Sequence, residues 1–155
     1  MKNKNLIIIL VLIIALFSAV CAFIGVTTSD GAGEHTFTSI HGEEVTIYGK
    51  GIYKNESLSM ASQVIAQDFV ILVMGVSALL ISLFFAMKYL KGLFALAGTL
   101  GFFLYTYMSY AMTANYNSLF LVYVWLMTCS LAAFIRCALT SQATDWRTVL
   151  LKSTS

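Results

Sequence analysis

Four apolar runs, at residues 6–26, 69–87, 92–112 and 119–138, constrain this chain more than any other feature. Each has about twenty residues, the length an α-helix needs to cross ~30 Å of hydrocarbon. Lipid offers no water to bond backbone amides, so a helix, which satisfies them internally, is the expected form of every run. Composition agrees, since 59% of the 155 residues are hydrophobic and 10% charged, too few charges to cover a water-facing surface. Proline is absent, which removes the obvious source of the broken helices found in many transporters. The expected fold is an all-α membrane protein, a four-transmembrane-helix bundle in a single domain. Its spans are placed at 6–26, 62–88, 92–112 and 118–138, with an extracytoplasmic loop at 27–60 and a tail at 139–155.

Basic residues orient the bundle. Lys2 and Lys4 precede the first run, Lys88 and Lys91 flank the second connection, and Arg136, Arg147 and Lys152 follow the fourth. Four crossings put all of these on one side, against Lys50 and Lys54 on the other. The positive-inside rule then places both termini in the cytoplasm of a multi-pass cell-membrane protein. A rival reading makes the first run a cleaved secretory signal, with Val20-Cys21-Ala22 as the cleavage site. The run is longer than a usual signal core, so its retention as the first helix is expected.

The loop carries two strand patterns, Thr36-Phe37-Thr38-Ser39-Ile40 and Glu44-Val45-Thr46-Ile47-Tyr48, around His41-Gly42-Glu43. Branched and aromatic residues alternate with polar ones, with glycine in the turn. A β-hairpin lying on the outer mouth of the bundle is expected, and residues 48–53 either extend it or bend away. Asn55, Glu56 and Ser57 supply capping chemistry for the second helix. In the tail, Trp146, Val149 and Leu150 share a helical face, which suits either a short interfacial helix or a disordered segment.

Asp68 is the acid that adjoins a span on the outer side. Steps of seven link it to Gly75 and Ser82, a small-residue stripe of the kind that packs on neighbouring helices, so its carboxyl is expected to face the bundle interior. Two roles are open: a proton, cation or ligand site, or a carboxylate that ties the loop to the helices by accepting hydrogen bonds. Gln63 and Gln67 fit either network. In the third run, Gly92, Ala95, Gly98 and Gly101 are expected to give close helix approach, and Tyr105, four residues beyond Gly101, to share that packed face. Tyr107 and Tyr110 are expected to point elsewhere. Part of the tyrosine cluster is an interfacial aromatic belt. The sharper alternative is a pocket roofed by the sheet, lined by Asp68, Gln67, Tyr105, Tyr123 and Tyr48, and open to a lipid, quinone or small amphiphile.

Other chemistries are poorly supported. Net charge of +2 without a basic cluster excludes a nucleic-acid surface. Cys21, Cys129 and Cys137 lie in apolar runs without a C-x-x-C motif and read as buried thiols. His35 and His41, with Glu34, Glu43 and Glu44, are too far apart along one strand to hold a metal unless the chain turns between them. No cofactor motif is present.

Tyr48-Gly49-Lys50-Gly51-Ile52-Tyr53, Ala66-Gln67-Asp68, Tyr105-Thr106-Tyr107-Met108-Ser109-Tyr110 and the stretch from Asn117 to Tyr123 resemble an uncharacterised family of small prokaryotic four-helix membrane proteins. The resemblance covers about residues 45–135 and implies the architecture, with no activity or catalytic residues attached. The topology alone also resembles that of claudins, but the loop lacks their tryptophan motif and cysteine pair. The expected function is therefore a non-enzymatic membrane module, an accessory or assembly protein that binds a membrane-protein partner, a second copy or a lipid-like ligand. A small proton- or cation-coupled carrier using Asp68 is the alternative. It is weakened by the position of Asp68 near the outer edge and by the lack of polar residues deeper in the helices.

Overall fold

A computed structural model describes the backbone of residues 2–153 and the side-chain surroundings of residues 5–141. The fold is mostly helical. Helix α1 (Lys2–Thr27) is followed by strands β1 (His35–Thr38) and β2 (Glu44–Ile47) and a 3-10 turn (Gly51–Tyr53). Helices α2 (Leu58–Val70) and α3 (Val76–Lys88) are joined by a π-helical segment (Ile71–Gly75) into one long rod, and α4 (Leu90–Thr113) and α5 (Phe120–Ser153) complete the chain. Four helical stretches, Asn5–Thr27, Leu58–Lys88, Leu90–Thr113 and Phe120–Ser141, are long and apolar enough to cross a membrane.

Packing runs through α5 against α4 and α1, and through α3 against α4 and α1. Val11 and Ile14 of α1, Leu79 of α3, Leu96 and Leu100 of α4 and Leu126 of α5 are fully buried between them. The segment that a secretory signal would remove is thus part of the core. Outward faces are equally greasy, with Ile9, Leu16, Phe23, Met74, Phe94 and Leu121 all exposed. A contiguous apolar exterior of this kind is not one that water tolerates.

Local sequence explains the boundaries. The Ser57 side chain caps α2 by accepting from the Met60 amide at 3.3 Å, satisfying a donor that the first helical turn leaves free. No proline marks the π-helical segment. It ends at Gly75, where an added methyl would sit 3.3 Å from Phe103 and 3.4 Å from Phe102. Glycine there lets the rod approach α4.

The hairpin forms in the register His35↔Ile47 to Thr38↔Glu44. Gly42, with φ of +81°, turns the chain where a side chain would be strained. The sheet does not lie on the bundle as expected from sequence. β1 is exposed along its whole length, and β2 alternates between exposed and half-buried residues. Residues 48–53 bend away from the sheet through Gly49 and Gly51, both at positive φ, and the 3-10 turn closes the bundle instead. The physical reason lies in side chains. The hairpin strands alternate threonines, His35 and Glu44 with Phe37, Val45 and Ile47, and Phe37 stays 57% exposed, whereas the turn inserts the ring of Tyr53, which is 2% exposed. The tail also differs from expectation, because α5 continues unbroken to Ser153. The facing of Trp146, Val149 and Leu150 lies outside the described residues.

Candidate functional site

Asp68 comes from the last turns of α2 and is 2% exposed. Two phenols close on its carboxyl group. Tyr53 donates to Oδ2 at 2.5 Å and Tyr110 donates to Oδ1 at 2.9 Å. The Tyr53 hydrogen is committed to Asp68, so the Tyr123 hydroxyl, 3.3 Å from that of Tyr53, is the donor in that pair. The chain of donation runs Tyr123 to Tyr53 to Asp68. Burial, with the neighbouring Tyr123 and Asp68 charges adding to it, pushes the Tyr53 phenol far above its usual range. It therefore stays protonated and remains a donor.

Ring packing holds this cage rigid. Tyr107 stacks on Tyr123 at 6.1 Å, and Tyr110 meets Tyr123 edge-on at 5.1 Å, geometries that suit the aromatic quadrupole. On the α1 side, a Cβ at Gly25 would fall inside the Asp68 carboxylate and press on the Tyr53 hydroxyl. Only glycine leaves room for the acid. A second tie lies above it. Glu56, 3% exposed, accepts from the Asn115 backbone amide at 2.5 Å and from its side-chain amide at 3.0 Å. The loop after the hairpin is thus fastened both to the α2–α4 interior and to the connection between α4 and α5.

An open groove of about 420 Å³ runs between α2 and α4, lined by Gln63, Gln67, Tyr105, Thr106, Ser109 and Thr113 among others. Gln67 donates from its amide to the Thr106 hydroxyl at 3.2 Å. Its lining side chains carry no formal charge and come from α2 and α4 alone, with no residue of the sheet among them.

The structure therefore splits the single pocket expected from sequence. Asp68 and Tyr123 belong to the buried cage and Gln67 and Tyr105 to the open groove, while Tyr110 lines the groove and donates to Asp68, so the two share a wall. Tyr48 is half-buried and joins neither, its backbone amide donating to the Glu56 carbonyl. The facing of α4 is the reverse of expectation: Tyr105 is 66% exposed, whereas Tyr107 and Tyr110 are buried. Gly98 likewise faces open space, with nothing within 4 Å of an added Cβ. The packed stripe of α4 is Gly92, Leu96, Leu100, Phe103, Tyr107 and Tyr110, large residues at helical spacing except at Gly92, where a Cβ would overlap the Phe85 backbone. Gly75, Ser82 and Gly101 keep interior or contact positions. Ser82 is buried and bonded to the Leu79 carbonyl, and a methyl at Gly101 would stand 3.7 Å from Phe134.

Sequence reasoning missed Tyr53, Tyr110 and Gly25. The seven-residue step from Phe103 to Tyr110 was a usable sign for Tyr110, but nothing local marks Tyr53 as an interior residue. Among the described residues, no group of three or more His, Cys, Asp or Glu side chains is placed to hold a metal. No family model, no curated protein and no solved structure matches the chain.

Proposed function

We propose that this chain is an integral membrane protein with both termini cytoplasmic and the hairpin outside, and that it acts by binding rather than by catalysis. The apolar outer faces of the helices support the membrane setting, and the basic residues at the end opposite the hairpin support the orientation. In this reading the Asp68 cage is a fastening that keeps the loop on the bundle. The α2–α4 groove receives the polar end of a lipid-like amphiphile. One observation carries it: a concave strip of uncharged hydrogen-bonding groups, Gln63, Gln67, Thr106, Ser109 and Thr113, lines an open groove between two helices of membrane-spanning length. Gln67 and Thr106 bond each other and Thr113 bonds its own helix, which leaves spare acceptor and donor capacity in an apolar medium for a headgroup to use. Phospholipid tails then extend along the exposed apolar residues below.

Native mass spectrometry of the protein extracted with its lipids tests this reading. Retention of a defined amphiphile that is lost in a Gln67→Leu/Thr106→Val variant is the expected result. Equal retention by the variant removes it. Placement of residues 2 and 152 on opposite faces by cysteine labelling removes the topology.

A second reading, a proton- or cation-coupled carrier centred on Asp68, is favoured by the burial of an ionisable side chain within a span, a position that usually marks function. It is opposed by the engagement of both carboxylate oxygens. Flux in proteoliposomes that is unchanged by Asp68→Asn eliminates it.

A further inference from the structure

Almost every large apolar side chain exposed on this molecule belongs to a helix of membrane-spanning length, where lipid accounts for it. The hairpin breaks that rule. It lies between the first two such helices, and on it Phe37 is 57% and Ile40 95% exposed. Apolar groups left open outside the spans, with polar residues around them, mark a surface that another molecule covers.

Backbone bonding separates the two edges of this sheet. The Gly33 amide donates to the Gly49 carbonyl and the Ser39 amide to that of Glu43. By the alternation of an antiparallel ladder, His35 and Phe37 then bond β2, while Thr36 and Thr38 direct their amides and carbonyls outward. The far edge of β2 is already taken. There the Tyr48 amide donates to the Glu56 carbonyl at 2.9 Å, and Ile47 bridges to Ser57. The edge of β1 stays open, without the proline, lysine or bulge that commonly blunts one. Two strands of four residues each gain little stability by themselves, and a third strand is the usual remedy.

Side chains specify what that strand carries. Phe37, Val45 and Ile47 share one face of the hairpin, and Glu34, Thr38 and Glu44 share the other. Glu34, Glu43 and Glu44 are all exposed, and between residues 28 and 49 the chain has these glutamates and Asp30 but no lysine or arginine. A second copy would set the same acids against them, and like charges resist that pairing. We propose that the β1 edge receives an extended segment of a partner protein as a third strand, one in which apolar and basic residues alternate. Its apolar side chains cover Phe37, and its basic ones meet Glu34 and Glu44. Strand addition of this kind takes affinity from backbone bonds and specificity from alternate side chains. The site is independent of the α2–α4 groove and of the Asp68 cage.

Titration of the full-length protein, in nanodiscs of zwitterionic lipid, with a short peptide alternating lysine and valine tests this. Saturable binding is expected, roughly tenfold tighter than that of a peptide alternating glutamate and valine. The bound peptide is expected to slow hydrogen exchange at the Thr36 and Thr38 amides. Thr36→Pro removes one outward donor while sparing the bonds to β2, and is expected to abolish binding. Glu34→Gln/Glu44→Gln alters exposed side chains alone, so the fold survives it, and is expected to weaken binding about tenfold. Absence of binding, or equal affinity for both peptides, overturns the proposal. So does binding that Glu34→Gln/Glu44→Gln leaves unchanged. Binding without slower exchange at Thr36 and Thr38 overturns it too, because charge alone then holds the peptide. Protection of those amides before any peptide is added, by a second copy or by the bilayer, gives the edge another occupant and equally overturns it.

Discussion

Asp68 and Gln67 are neighbours on one helix and live in opposite surroundings. Successive residues on an α-helix point about 100° apart, so one side chain enters the sealed tyrosine cage and the other lines the lateral groove. The ionisable group is enclosed and fully bonded, whereas the neutral amide is offered to whatever enters from the side. The division matches the cost of each group in hydrocarbon, where a bare carboxylate is far more expensive than an amide. The cage holds the molecule together, and the groove is where it meets another. That contrast has consequences that mutation separates.

The largest effect belongs to the cage. Asp68→Leu strands the Tyr53 and Tyr110 hydroxyls in an apolar interior and is expected to cost about 3 kcal/mol, measured by thermal unfolding in lipid nanodiscs. If the amphiphile is still retained at permissive temperature, the two regions are separable. If it is lost in step with a folded protein, the contrast breaks.

Next comes Gly25→Ala, whose new methyl overlaps the carboxylate. Overpacking of this kind is expected to cost about 2 kcal/mol and to loosen the loop, read as faster proteolysis between residues 28 and 57. Tyr53→Phe removes one donor and is expected to cost about 1 kcal/mol. The same residue gives a pH test. Its phenol has a pKa raised by folding, so its contribution is complete below the unfolded value of ~10 and is lost as pH rises beyond it. Loop proteolysis is expected to increase on the alkaline side and to stay level between neutral pH and that point. A loop that loosens on acidification alone contradicts this direction.

The smallest stability effect belongs to the groove. Gln67→Leu/Thr106→Val is expected to change stability by less than about 1 kcal/mol, since it deletes both partners of one half-exposed bond. The same variant is expected to lose most of its co-purified amphiphile. A stability loss as large as that of Asp68→Leu makes the groove part of the frame and removes the distinction.

Particular residues show why some of this was legible in sequence and some was not. Asp68 faces the interior because an ionisable group next to hydrocarbon has few other places to go, and the Ser57 cap follows from a local hydrogen bond. On α4 small residues mark the packed face only in part: Gly92 and Gly101 meet Phe85 and Phe134, whereas Gly98 faces open space and the rest of the buried stripe is made of large residues. Periodicity did not expose the misreading of Gly98. A helix surrounded by lipid is apolar on every side, so the polar-versus-apolar rhythm that reveals the buried face of a soluble helix is weak.

By itself the sequence determined four helices of membrane-spanning length, the hairpin between the first two, and the bundle-facing carboxyl of Asp68. Each of these rests on local constraints: run length, backbone hydrogen bonding and the cost of a charge. Only the tertiary structure decided that Tyr53 folds in from the loop and Tyr110 turns inward to meet that carboxyl, and that Gln67 and Tyr105 line a groove on the far side of Tyr110. Those outcomes depend on which helices touch and how closely. In a chain whose inner and outer faces are chemically alike, shape complementarity between distant segments supplies that information.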